Sequence, residues 1–274
     1  MVLNGQILPG EEDCYVFSAR KGQRIVAAAR ARALVPYLAD AVPGWFQATL
    51  TLRNPAGNEV AYADDNRFDP DPLLTCVIPA DGEYTLEVKD AIYRGREDFV
   101  YRIALGEVPF LTDVFPLGGR VGATTTFAFA GWNLPAQELT LDLKDSRPGS
   151  ALAIGLRPPE AGSNRLDIAV GQLPEQTERE PNDRSDSAAL IRLPCVVNGR
   201  ISTDGDTDVF AFHARAGEVI VAEITAAALA GMGLREGDEG RLLSCAGGAA
   251  VLDLLVAWSA RQHGERVEIG RAHV

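Results

Sequence analysis

The sequence predicts an all-β protein built of antiparallel, jelly-roll-like β-sandwich modules, and three observations carry that expectation. Apolar residues recur in short alternating runs, glycine and proline punctuate the chain throughout, and one stretch of the chain aligns with another further along it. With 27 glycines and 16 prolines, the 274 residues leave little uninterrupted chain for long helices. That length exceeds one ordinary sandwich and suffices for two or three small domains, each with its own core.

The self-alignment orders the elements. Residues 4–34, NGQILPGEEDCYVFSARKGQRIVAAARARAL, align with residues 198–229, NGRISTDGDTDVFAFHARAGEVIVAEITAAAL, pairing Gly10 with Gly205, Asp13 with Asp208, Phe17 with Phe212 and Gly22 with Gly217. Tyr15 and Phe17 alternate with polar neighbours, as Phe210 and Phe212 do, so each pair points one strand face into a core. The Arg-x-Gly that follows reads as a hairpin turn. Residues 24–29 and 219–224 are more continuously apolar and read as a central strand. Further strand-like runs fall at 46–52, 59–63, 73–78, 84–88 and 99–105, with turn chemistry at Asn54-Pro55-Ala56-Gly57 and Ala80-Asp81-Gly82. About eight short strands at this spacing describe a sandwich.

The expected layout is a first sandwich over 1–107, an Ig-like spacer over 108–174, an acidic linker over 175–186 and a cut-off second copy over 187–230. The spacer rests on Phe115-Pro116-Leu117-Gly118-Gly119 and strand-like runs at 124–130 and 139–143. Residues 231–274 are Gly/Ala-rich, with a helix-like stretch over 251–260. Back-translated, the last seven residues, 268–274 (EIGRAHV), reproduce a sequencing-library adapter, which predicts a reading frame that leaves the gene near residue 230.

Charge excludes partners. A net charge of −12 and a pI near 4.8 repel phosphate backbones and anionic lipid, so neither nucleic acid nor membrane insertion is expected. No apolar run is long enough to span a bilayer, and residues 1–10 lack a leader's basic and apolar regions, which reads as a start inside a longer parent chain. Cys14, Cys76, Cys195 and Cys245 form no ligand pair and read as small buried hydrophobes, with a Cys14 to Cys76 disulfide as the alternative.

Oxygen ligands at close spacing suit a hard cation, and Glu178, Glu180, Asn182 and Asp183 supply four within six residues beside the stiff Pro181. The alternative is a solvated acidic linker. Asp64, Asp65, Asp69 and Asp71 form a second acidic group, but Pro70 and Pro72 favour a loop there. Catalytic signals are sparse. His213, His263 and His273 are the only histidines, His213 aligns with Ser18 on an outward strand face, and no nucleophile elbow, zinc-protease or phosphate-loop motif occurs.

The string EREPND, the run NGRISTDGDTDVFAFHARAGE and the late DGEYTLEV resemble the bacterial pre-peptidase C-terminal domain, found beside secreted proteases and in large surface proteins. The likeness covers 4–106 and again 178–230. The spacer resembles IPT/TIG-like Ig domains through FPLGGRVG and GWNLP, and DAIYRGREDFVYRI and VPFLTDVFPLGGR resemble phrases of planctomycete surface proteins. The family likeness implies calcium, held by the linker residues together with Asp206 and Asp208, in a cage completed by the rest of the second module. For Asp13 the corresponding linker would lie upstream of Met1. The expected function is that of a non-catalytic, extracellular, protease-associated accessory module whose partners are other domains of its parent chain. A carbohydrate- or matrix-binding module is the alternative, suggested by Trp45, Tyr93 and Trp132. A hydrolase would need a nucleophile and base that the sequence does not name.

Overall fold

The structure is a computed structural model that describes residues 1–35, 46–67, 69–156, 163–203 and 206–214, followed by short strand segments up to residue 268. Every regular element among the described residues is a β-strand. The backbone divides into two compact units. The first comprises Met1–Thr112 with Gly131–Pro135 and Leu156–Asn164, and the second Asp113–Ala130, Ala136–Gly155 and Arg165–Val274.

The first unit holds β1 (Val2–Gln6), β2 (Asp13–Ala19), β3 (Arg24–Arg30), β4 (Ala48–Arg53), β5 (Glu59–Ala63), β6 (Leu73–Val77), β7 (Gly82–Asp90) and β8 (Val100–Gly106). They make two four-stranded antiparallel sheets, in the orders β1-β8-β3-β6 and β2-β7-β4-β5. Period-2 alternation buries one face of each: Tyr84, Leu86 and Val88 of β7 and Leu50 and Leu52 of β4 meet Ile25, Ala27, Ile103 and Leu105 in one core. The strand at 24–30 lies inside its sheet, as its apolar run requires.

Two turns do other work than expected. Arg20-Lys21-Gly22 joins no hairpin, because β2 and β3 belong to different sheets; the same holds for Ala80-Asp81-Gly82 between β6 and β7. Both carry the chain from one layer to the other. They are tied together, with Gly22 N–H donating to Ile78 O (2.8 Å) and Lys21 N–H to Asp81 Oδ1 (2.7 Å). The physical reason is that Tyr15/Phe17 and Ile25/Ala27 fill one core from opposite sides. Of these three turns, Asn54-Pro55-Ala56-Gly57 is the one that closes a hairpin, where Asn54 Oδ1 accepts from Ala56 and Asn58 N–H, both at 3.0 Å.

The second unit takes up the chain within β9 (Phe110–Phe115) and continues with β10 (Gly118–Arg120), β11 (Thr124–Trp132), β12 (Glu138–Asp142), β13 (Ser150–Ile154) and β14 (Leu166–Gly171). Then follow β15 (Glu175–Thr177), β16 (Ala189–Leu190), β17 (Val196–Ile201) and β18 (Phe210–Phe212). Most pairs are antiparallel, but β10 with β14, β15 with β17 and β16 with β18 pair in parallel over two or three residues. Such short parallel ladders leave no periodic trace in sequence.

The last elements are β19 (Val219–Ile220), β20 (Thr225–Ala226), β21 (Gly248–Leu252), β22 (Trp258–Ser259) and β23 (Val267–Glu268). The helix-like reading of 251–260 is therefore corrected at both ends. β21 pairs antiparallel with β17, because the free edge of that strand satisfies the backbone groups of a Gly/Ala-rich segment that has little side chain to pack a helix. Residues 253–257 and 269–274, with Trp45, His263 and His273, lie outside the described residues. The disulfide alternative does not form: Cys14 and Cys76 are free thiols, on strands of different sheets.

The turn after β7 is organised by a buried charge. Asp90 is 0% exposed and accepts from the N–H groups of Gln47 (3.1 Å), Ile92 (3.2 Å) and Arg94 (3.1 Å) and from the Arg94 guanidinium at both carboxylate oxygens. Burial alone would raise its pKa, but the Arg94 side chain and these N–H donors outweigh it and hold the carboxyl below its usual range. Asp71, also buried, accepts from Arg32 N–H (2.7 Å) and Ala33 N–H (2.9 Å), so one member of the second acidic group is a loop fastener. Asp90→Ala should destabilise the first unit by about 3–5 kcal/mol, because it leaves a guanidinium and three N–H groups without their acceptor. Urea unfolding followed by tryptophan and tyrosine fluorescence measures this, and an unchanged midpoint would contradict it.

Candidate metal centre

β15 runs beside β17, and where it ends the chain folds back over the start of the Asn198-Gly199-Arg200 run. Glu178 N–H donates to Asn198 O (2.9 Å), which fixes the backbone so that the Glu178 side chain lies along β17. Its Oε1 accepts from Arg200 N–H, while its Oε2 is buried with no N–H or hydroxyl donor among the described residues. Gly199 makes this possible. A Cβ at that position would sit 2.8 Å from Glu178 Oε2 and 3.0 Å from Asp208 Oδ2, closer than carbon and oxygen tolerate.

All six residues expected from sequence and resemblance come together within residues 178–208. Ligand atoms of Glu178, Glu180 and Asp208 lie within 4.8 Å of one another, and so do those of Glu180, Asp183 and Asp206, so Glu180 is shared by two adjoining triplets. Asn182 is 0% exposed between them. Its carbonyl accepts from Val209 N–H (3.0 Å), and its N–H donates to Glu180 Oε2 (3.0 Å). Its side-chain amide faces Glu180 Oε2 at 3.0 Å and Asp208 Oδ1 at 3.3 Å. With nitrogen inward the amide donates to both carboxylates. With oxygen inward it adds a neutral ligand to a ring of anionic ones.

The electrostatics follow the donors. Asp206, 7% exposed, accepts from Ser202 N–H (2.6 Å) and Ser202 Oγ–H (3.0 Å), and these bonds hold its pKa below the usual range. Among the described residues Asp208 has no comparable N–H or hydroxyl donor. Burial, and then the neighbouring Glu178, push its pKa up to about 8. Burial also raises Glu178, against the bonds that it accepts. Two carboxyls packed on one glycine thus hold a proton between them when nothing else neutralises them.

The sequence pointed to the acids but not to Gly199 or Ser202. The Asn-Gly pair common to Asn4-Gly5 and Asn198-Gly199 was the available signal for the glycine. Asn198 has its own task, donating to Glu175 Oε2 (2.9 Å) and accepting from Leu117 N–H (3.0 Å). Among the other expected residues, Asp64, Asp65 and Asp69 join no ligand-spaced cluster with Asp71 among the described residues, and His213 is exposed. Trp132 is half-buried under the Arg24 guanidinium, 4.3 Å from its ring, whereas Tyr93 is 60% exposed with Lys89 Nζ 5.0 Å from its ring.

No family model matches the chain, and no curated protein matches it. Among solved structures, the pre-peptidase C-terminal domain of a collagenase from Bacillus anthracis is similar to 38% of this chain over 87% of its own length, at 15% identity and a TM-score of 0.28. At that score it is a similarity in outline and no more. Among the described residues no helix is long and apolar enough to cross a membrane.

A carboxyl whose pKa is higher folded than unfolded binds its proton more tightly in the folded state, so stability falls as pH rises between the two values. For Asp208 that interval runs from the ordinary 3.8 to about 8. In chelator, the β17 region should therefore lose protection against hydrogen exchange between pH 5 and pH 8, after correction for intrinsic rates. In Asp208→Asn that loss should shrink to the smaller part that Glu178, raised by its own burial, contributes.

Proposed function

We propose that this chain belongs to a larger secreted or surface protein, in which it is a non-catalytic accessory module of the pre-peptidase C-terminal kind, stabilised by calcium. The observation that carries the reading is the buried Glu178 Oε2, packed against Asp208 on Gly199 and met by no N–H or hydroxyl donor among the described residues, with Glu180, Asn182, Asp183 and Asp206 around it. Five carboxylates and one amide are a hard, all-oxygen ligand set. Calcium takes six to eight such ligands in flexible geometry, whereas zinc favours nitrogen and sulfur, and magnesium keeps most of its water. A divalent ion replaces the shared proton and turns the repulsion among the acids into attraction.

In this reading the cation fastens residues 178–183 to the turn at 206–208, the second of the two aligned segments. The module's task is mechanical: it holds its neighbours in the parent chain in place. Support for a non-catalytic role comes from the buried aspartates, since Asp71, Asp90 and Asp206 are each satisfied by backbone, arginine or serine donors.

Calorimetry of the whole chain tests the proposal. Calcium at a hundredfold above its Kd should stabilise the second unit by about 2.7 kcal/mol, a rise in its melting temperature of about 5–10 °C. Glu180→Ala combined with Asp183→Ala should remove most of the rise. Identical melting in calcium and in chelator would sink the proposal.

A further inference from the structure

The two aligned segments treat the same aspartate differently. In the second, Asp208 and Glu178 share the space over Gly199, with no hydroxyl donor between them among the described residues. In the first, the matching glycine is Gly5 and the matching aspartate is Asp13, and a Cβ on Gly5 would lie 2.8 Å from Asp13 Oδ2. The same Cβ would also collide with the hydroxyl of Tyr101, which fills the space that Glu178 takes in the other copy. We infer that Tyr101 stands in the first sandwich where the second copy is built for a cation, and that this makes the first sandwich the cation-independent one of the pair.

The hydrogen bonds give the substitution its chemistry. Tyr101 is 2% exposed, and its hydroxyl donates to Asp13 Oδ2. Since that proton is committed to the carboxylate, the Tyr15 hydroxyl, 2.6 Å from Tyr101 Oη, is the donor in the second bond. A two-hydroxyl relay therefore ends on Asp13, and a donor to a charged acceptor is worth more than one between neutral groups. Burial, and then Asp13 itself, push the Tyr101 phenol far above its usual pKa, so the proton stays in place through the physiological range.

The Tyr15 hydroxyl is missing from the aligned position of the second segment. Tyr15 aligns with Phe210, which has the same ring without the oxygen. Tyr101 pairs with Gly5 in the β1–β8 register, and in the β17–β21 register the residue opposite Gly199 is Ala250. In the second segment a carboxylate, that of Glu178, lies on the glycine, with Glu180 beside it. A hydroxyl over the glycine satisfies the neighbouring aspartate with a proton, whereas a carboxylate in that place leaves it to a cation. The contrast rests on the calcium reading of the second segment, so the test separates the two.

Hydrogen exchange of the whole chain, read by mass spectrometry on peptides covering β1, β8 and β17, provides that separation. In the unaltered protein, calcium against chelator should leave β1 and β8 unchanged while slowing β17. Tyr101→Phe should speed exchange of β1 and β8 by about ten- to a hundredfold, the size of a lost bond to a charged group, equally with and without calcium. In an Asp13→Ala background the same change should have little effect, because its acceptor is already gone. Calcium protection of β1 and β8, or an undiminished Tyr101→Phe effect in Asp13→Ala, would overturn the inference. Absence of calcium protection at β17 alone would overturn the cation reading of the second segment, while the Tyr101 and Asp13 comparison is decided on its own peptides. The unaltered protein supplies one arm without any substitution, so a variant that fails to fold does not remove the test.

Discussion

A carboxylate moved out of water has to be met by a proton, a set of donors or a cation, and this requirement shapes both units of the chain. Asp90 is met by an arginine and three N–H groups, and the turn from 90 to 94 takes its shape from that bonding. Asp71 is met by two N–H groups of the segment after β3, which ties that segment to the loop before β6. Asp13 is met by a tyrosine hydroxyl and Asp206 by a serine. Glu178 and Asp208 are packed against one another with fewer donors than oxygens, and their raised pKa values are the consequence.

Glycine decides where such a carboxylate goes. Gly5 and Gly199 each sit on a strand beside an aspartate, and in both the absent side chain is what admits oxygen to the backbone surface. Around Gly199 most of the surrounding bonds stay within residues 175–209, Asn198 to Glu178 and Glu175, Arg200 to Glu178 and Asn182 to Val209, and Leu117 N–H adds one to Asn198 from further back. Residues 175–183 are thereby built into the sheet edge through β15 and are not a spacer held away from it. An acidic segment that reads as linker becomes structure because its backbone finds partners on β17 and its side chains find a glycine-lined recess.

The strands of the first sandwich were legible because alternation is a local property. Residues 59–63 form β5 as read, and the runs at 24–29, 73–78, 84–88 and 99–105 form β3, β6, β7 and β8 with ends displaced by one or two residues. Their connections were not legible. Arg20-Lys21-Gly22 has hairpin chemistry, yet it changes sheets, because sheet membership depends on which face of the core a strand fills and not on the turn between strands. Residues 251–252, the start of the helix-like 251–260, depart in the other direction, since they continue a strand that a free edge of β17 pairs through its backbone groups.

For the candidate site, the division between sequence and structure is physical. The sequence by itself determined the supply of ligands, since Glu178, Glu180, Asn182 and Asp183 fall within one short run and carry oxygen whatever the fold. It also determined the strand pattern that brings Asp206 and Asp208 back along the chain. Only the tertiary structure decided that these acids meet, that Gly199 leaves room for two of them, and that Ser202 quiets Asp206 while nothing comparable serves Asp208. It decided as well that Tyr101, far from Asp13 in sequence, lies opposite Gly5 and delivers a proton there. Proximity between distant residues follows from sheet order and register, and those depend on the whole core at once, which no local pattern encodes.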